Sequence, residues 1–157
     1  MIVASVLTEQ DVDDPSQVKP LLDQIAAEIV QVTADGAYDG EPTYQTIAVR
    51  GTDIAVVIPP RATAVHSDNA KISPSQRDQH IASIEKNGQL SRQEETGYGS
   101  RSLVETAMGR YKAIIGPRLR ARRVENLRTE AAIGVTILNR TLAAGQPKSV
   151  RSERKVI

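Results

Sequence analysis

The stretch IVQVTADGAYDGEPTYQTIAVRGTDIAVVIPP, residues 29–60, decides the fold class. Ile29–Ala34 predicts a strand that ends at Asp35-Gly36. Glu41–Arg50 predicts a helix stopped by Gly51, and Asp53–Ile58 a second strand stopped by Pro59-Pro60. Strand, helix and strand in that order predict an α/β fold with a parallel portion. Open α/β sheets bind ligands beyond the carboxyl ends of their strands, which makes Asp35 a candidate site residue. An Asp before Gly is also common turn punctuation, so position alone leaves both readings open.

Upstream, Ile2–Leu7 is a short apolar run suited to a buried strand. Asp14-Pro15-Ser16-Gln17 predicts a helix start with Asp14 as cap. Val18, Leu21, Leu22, Ile25, Ala26 and Ile29 then recur at amphipathic-helix spacing. Pro20 sits awkwardly in that helix, whose regular part can begin there instead. Downstream, residues 61–75 are polar and aperiodic, predicting a loop, and Gln76–Lys86 predicts a helix. Arg101–Ile115 predicts a helix closed by Gly116-Pro117, and Arg122–Ala143 a long one closed by Gly145 and Pro147. Residues 1–147 therefore predict one domain, and 148–157 a disordered basic tail.

Composition narrows the chemistry. The 157 residues contain no Cys, which excludes disulfides, thiolate nucleophiles and Cys-based zinc sites. With no Phe, no Trp and four Tyr, the core is aliphatic and base-stacking platforms are scarce. No apolar run approaches the ~20 residues of a membrane helix, and Met1 opens no signal peptide, so the expected compartment is the cytoplasm. Net charge is +1 but uneven: residues 1–58 carry −8, whereas residues 101–128 carry +6. An acidic front and a basic back suit a polyanion approaching one side, and a basic run also suits a solvated face. His66 and His80 have no carboxylate at ligand spacing and are expected to face solvent. The acidic turn Asp11, Asp13 and Asp14 fails as a calcium loop, because Ser16 and Leu22 stand where Gly and Glu are needed.

On a helix starting at Arg101, steps of about 100° bring Arg101, Glu105 and Lys112 onto one stripe. Leu103, Val104, Ala107, Tyr111, Ile114 and Ile115 share an adjacent arc, expected to be the buried face. Taken alone, the stripe also reads as a surface ladder of i, i+4 pairs.

Together these segments resemble the transposases of bacterial insertion sequences, in the group numbered five and its relatives. That family carries a motif of Tyr, two residues, Arg, three residues, Glu, six residues and Lys, matched by Tyr98, Arg101, Glu105 and Lys112. Its Asp-Gly-x-Tyr-Asp strand end matches Asp35 to Asp39. Further landmarks are Leu7-Thr8, Leu21 to Ile25, Ile58-Pro59-Pro60-Arg61, and Leu138-Asn139 before Gly145 and Pro147. The resemblance covers roughly residues 2–151.

The resemblance implies a ribonuclease-H-like fold in which two Asp and one Glu hold two Mg²⁺, with Mn²⁺ as a substitute, about 3.5–4 Å apart for in-line phosphoryl transfer. Asp35 corresponds to the second acid and Glu105 to the third, both as metal ligands. Tyr98, Arg101 and Lys112 correspond to DNA contacts, and Arg118, Arg120, Arg122 and Arg123 extend the basic run. The first Asp belongs to a strand upstream of Ile2–Leu7, so the sequence is expected to be an N-terminally truncated catalytic domain, inactive by itself. Expected partners are double-stranded DNA, both element ends and target, and a second copy or full-length transposase. A non-catalytic fragment that inhibits transposition by occupying those partners is the alternative.

Overall fold

The computed structural model describes residues 1–87 and 102–145. A single turn of 3₁₀ helix, Asp14–Gln17, leads into α1 (Val18–Leu22). Strand β1 (Gln31–Thr33), α2 (Glu41–Arg50) and β2 (Ala55–Val57) follow, then α3 (Gln76–Asn87), α4 (Ser102–Ile114) and α5 (Val124–Ala144). β1 and β2 pair in parallel with Gln31 opposite Ala55 and Thr33 opposite Val57. The strand–helix–strand unit expected from residues 29–60 is therefore present, with each strand shorter than its apolar run.

Two paired strands of three residues do not hold together unaided. Burial of one face does most of the work. Ile54, Val56 and Ile58 alternate onto the face that packs against Val18 and Leu22 of α1 and Tyr44 and Ile47 of α2, all under a tenth exposed. At roughly 1.5–3 kcal/mol per fully buried aliphatic side chain, this cluster outweighs the few ladder hydrogen bonds, each worth about 1 kcal/mol net. The outer edge of β2 is closed by a side chain. Gln76 Oε1 accepts from Val56 N at 2.9 Å, and Gln76 Nε2 donates to Ile54 O at 3.0 Å, the two bonds a neighbouring strand would make.

Several expectations fail. Ile2–Leu7 forms no strand: no strand lies beside it among the described residues, and side chains meet its backbone instead. Asn139 accepts from Ile2 N at 2.8 Å and donates to Ile2 O at 2.7 Å, and Gln24 Oε1 accepts from Ser5 N at 3.2 Å. The amphipathic helix stops at Leu22 rather than reaching Ile29. The 3₁₀ turn ahead of it leaves Pro20 in the first turn of α1, and side chains then take the next carbonyls. Gln24 Nε2 donates to Pro20 O, and Arg50 Nη2 donates to Ile25 O. Its cap is Asp13, which accepts from Ser16 N at 3.1 Å, not Asp14.

Helix α4 does not bury the expected arc. Leu103, Val104 and Ile114 are 69%, 63% and 51% exposed, while Ala107, Tyr111 and Ile115 are half-buried. The reason is a narrower contact, in which Tyr111 lies against α5 at Gly134. A Cβ added at Gly134 would stand 2.5 Å from the Tyr111 Oη. Gly116, with φ +129°, ends α4 in a conformation that favours glycine. The tail from Lys148, and Tyr98 and Arg101 before α4, lie outside the described residues.

Gly134→Ala is expected to destabilise the chain by roughly 1–3 kcal/mol, because rigid helix backbone and an aromatic ring must separate. Among the described residues, the buried Tyr111 hydroxyl has no hydrogen-bond partner. Tyr111→Phe is therefore expected to be neutral or mildly stabilising, since it removes an unsatisfied polar group. Urea unfolding midpoints check both.

Candidate active site

Asp35 and Glu105 line the same cavity, of about 360 Å³. Its floor is apolar, made by Leu21 and Leu22 of α1, Val32 of β1 and Ile58 after β2. Asp35 arrives there at the end of β1, and Glu105 from the first turn of α4. A third carboxylate, Asp14, lines it as well, in the 3₁₀ turn before α1. Sequence reasoning took Asp14 only as a cap, and no local pattern distinguishes it from Asp13. Burial raises the pKa of the Tyr38 phenol, and the nearby carboxylates of Asp14 and Asp35 raise it further. Among the described residues no three acidic or histidine side chains gather as a metal-binding group. A larger cavity of about 440 Å³, between Leu7 and Arg128, brings together no pair of carboxylates.

The segment after β1 is held from behind. Asp35 caps its own turn, with Oδ1 accepting from Ala37 N at 2.9 Å. Gly36 lets Pro59 approach, since a Cβ there would stand 3.3 Å from Pro59 O. Arg61 then reaches across, with Nε donating to Gly36 O at 3.0 Å and Nη2 to Ala37 O at 2.7 Å. Asp39 is buried, its side chain 0% exposed. Its Oδ2 accepts from Arg61 N at 2.9 Å, while Arg77 Nε donates to Oδ1 at 2.7 Å and Nη2 to Oδ2 at 3.2 Å. Burial alone would raise the Asp39 pKa, but the donors from Arg77 and Arg61 outweigh it and hold the carboxyl below its usual range.

The first turn of α3 anchors this assembly. Ser75 and Asp78 form a capping box: Ser75 Oγ accepts from Asp78 N at 3.2 Å, and Asp78 Oδ2 accepts from Ser75 N at 3.0 Å. Asp78 also accepts from Ser67 N at 2.7 Å and from the Ser67 and Ser75 hydroxyls at 2.8 Å each. The Ser67 amide leads the donors that hold the Asp78 pKa far below the carboxylate range, against the effect of burial. The signal was legible in Ser75-Gln76-Arg77-Asp78, a Ser-x-x-Asp helix start.

The basic residues sit elsewhere. Lys112 and Arg118 line a separate cavity of about 240 Å³ with Met108 and Tyr111, not the acid-lined one. Lys112 is seven residues beyond Glu105, about 10 Å along the helix. Arg118, Arg120, Arg122 and Arg123 are exposed in the connection from α4 to α5. Glu130 braces that connection, accepting from Arg120 N at 2.9 Å and Ala121 N at 2.8 Å. His66 is exposed, as expected, and His80 is half-buried. His66 lies 3.4 Å from Glu85 and 3.7 Å from Asp78, and His80 packs edge-on against Tyr44 with its Nδ1 3.3 Å from the hydroxyl. The loop folds back onto α3, which supplies the neighbours of His66, and α2 supplies Tyr44 beside His80.

A family model described as a transposase DDE domain matches residues 1–140. No solved structure matches. No helix among the described residues is long and apolar enough to cross a membrane.

Asp39 and Asp78 both have folded pKa values below that of an unfolded Asp, near 3.9. Their contribution to stability is thus full above pH ~5 and is lost as pH falls through 4 toward the folded values. Asp78→Asn is expected to cost roughly 1–3 kcal/mol at pH 7 and to flatten the acid limb of the stability profile. Urea titrations of both proteins from pH 7 to 3 check this. An unchanged acid limb would remove Asp78 from the account.

Proposed function

Because the chain belongs to the transposase DDE domain family, whose model spans 140 of its 157 residues, we propose that it is the part of an insertion-sequence transposase catalytic domain that holds the second and third acids, Asp35 and Glu105. Its role is in DNA transposition. The observation that carries the site assignment is that these two carboxylates, far apart in sequence, line one cavity. The spacing of Tyr98, Arg101, Glu105 and Lys112 supports the insertion-sequence-five-like group. The parallel β1–β2 pair fits the end of a ribonuclease-H-like sheet.

The donor set fits a hard divalent cation in part. Asp35 and Glu105 offer carboxylate oxygens, the ligand type that Mg²⁺ and Mn²⁺ prefer. Bound there, such an ion would supply Lewis-acid stabilisation of charge on the phosphoryl oxygens. Asp35 and Glu105 hold it, Tyr98 and Arg101 orient the strand end, and Lys112 with Arg118, Arg120, Arg122 and Arg123 binds phosphates. The family pattern also takes a first acid from a further strand, and β1 and β2 are the strands among the described residues. Asp35 and Glu105 without that acid hold Mg²⁺ poorly, and Asp14, which lines the same cavity, comes from a 3₁₀ turn rather than a strand end. This chain therefore binds DNA without cutting it, by itself or paired with a further copy of the transposase.

The metal assignment is tested by Mn²⁺ titration followed by NMR. Amides around Asp35 and around Glu105 are expected to broaden together, and Asp35→Ala or Glu105→Gln to abolish the effect at both places. Broadening confined to one of the two would overturn the shared site. Cleavage is checked on supercoiled DNA carrying the element's ends. The 157-residue chain is expected not to nick it in Mg²⁺ or Mn²⁺, whereas a longer protein carrying the first acid does so in a Glu105-dependent way.

The basic run gives an independent expectation. Replacing Arg118, Arg120, Arg122 and Arg123 with Ala is expected to weaken duplex binding and flatten its salt dependence by up to about 0.9 in log–log slope per lost phosphate contact. An unchanged slope would make the run a solvated face.

A further inference from the structure

We propose that Arg61 is a positioning residue for Asp35, acting through the single peptide plane that joins Gly36 to Ala37. The inference rests on the metal-site reading of Asp35 given above. That plane carries two polar groups at its opposite edges, the Gly36 carbonyl and the Ala37 N–H. The Ala37 N–H donates to Asp35 Oδ1 at 2.9 Å, and Arg61 Nε donates to the Gly36 carbonyl at 3.0 Å. Because a peptide is rigid, fixing its carbonyl fixes its N–H, and with it the carboxylate the N–H holds. The bonds also run head to tail, so the Arg61 charge polarises the amide and strengthens its donation to Asp35. Arg61 Nη2 donates to Ala37 O at 2.7 Å, on the next peptide plane, so Ala37 is held from both of its peptides.

Arg61 can do this because it is itself held. Its backbone N–H is fixed by buried Asp39, which is fixed in turn by the two-pronged Arg77. The close approach of Pro59 to Gly36 sets the distance over which the side chain must reach. A Lys at this position could not replace it. One ammonium on a flexible stem does not present two donors in a fixed fork to two successive carbonyls. This accounts for the arginine that follows Pro59-Pro60, whose place in the sequence the metal site alone leaves unexplained.

The inference makes a sign prediction that separates positioning from charge. Arg61 is a cation near a cation site, so if only its charge mattered, deleting it would tighten Mn²⁺ binding. Positioning predicts the reverse. Arg61→Ala and Arg61→Lys are each expected to need about tenfold more Mn²⁺ to broaden the amides around Asp35, the usual size of an outer-shell effect. The second measurement needs no metal. Hydrogen exchange at the Ala37 amide is expected to speed up about fivefold in both variants, the effect of losing one ordinary hydrogen bond's worth of order. Mn²⁺ binding that is unchanged or tighter in Arg61→Ala, while Asp35→Ala still abolishes it, would overturn the positioning role and leave the metal site standing. If the wild-type chain shows no Asp35-dependent broadening, the metal-site reading fails instead. Ala37 exchange then decides the geometry alone, and an unchanged rate in both variants would overturn it.

Discussion

A carboxylate with no exposure to water cannot stay charged without partners, and Asp39 is that constraint in this chain. Its donors come from two different segments. Arg77 belongs to the first turn of α3, and the Arg61 N–H to the segment leaving β2. Asp39 itself ends the turn that leaves β1, so one buried charge ties together the exits of both strands and the start of a helix. Removing one partner of such a pair costs about 3–5 kcal/mol, far more than the net worth of the intact pair, because the remaining charge is stranded. The pair is therefore better understood as a geometric lock than as a source of stability. Apolar residues of the same volume could fill the space, but they could not orient the turn that presents Asp35.

The rest of the acid-lined cavity depends on that lock and on one helix contact. The β1–α2–β2 unit supplies Asp35 and much of the apolar floor, while α4 supplies Glu105 from a turn whose neighbours Leu103 and Val104 are largely exposed. Helix α4 is positioned mainly further along, where Tyr111 meets Gly134. Glu105 is thus carried on the more exposed end of α4, and Asp35 is held within two residues by its own turn. Asp35 thus comes to the cavity from a strand exit and Glu105 from the end of α4 opposite the Tyr111–Gly134 contact.

What the sequence made legible follows from how local each feature is. The β1–α2–β2 order could be read because Gly51, Pro59 and Asp35-Gly36 terminate their elements without outside help. Helix α5 could be read because it spans six turns of one pattern. Ile2–Leu7 could not, because strand identity needs a neighbour, and Asn139 serves Ile2 where no strand does. The buried arc of α4 was misjudged because periodicity marks which residues are apolar, and not how wide a surface α5 offers them. Asp14 was legible only as a cap in an acidic turn, for a similar reason. It and Asp13 are adjacent acids in one turn, and only the fold sends one to the backbone and the other to the cavity.

The two edges of the small sheet differ in a way that bears on the count of acids. In the parallel ladder, Ala55 N donates to Val30 O and Ala34 N to Val57 O, so alternate groups of β1 face β2. The backbone groups of Gln31 and Thr33 then face the opposite edge, where no strand pairs with them among the described residues. Gln76 closes the outer edge of β2 with a side-chain amide, and among the described residues no equivalent closes β1. A strand added parallel at that open edge would end level with Asp35, next to the cavity that Glu105 also lines. Among the described residues, the edge at which a further strand could pair is thus the edge of the strand that ends at Asp35.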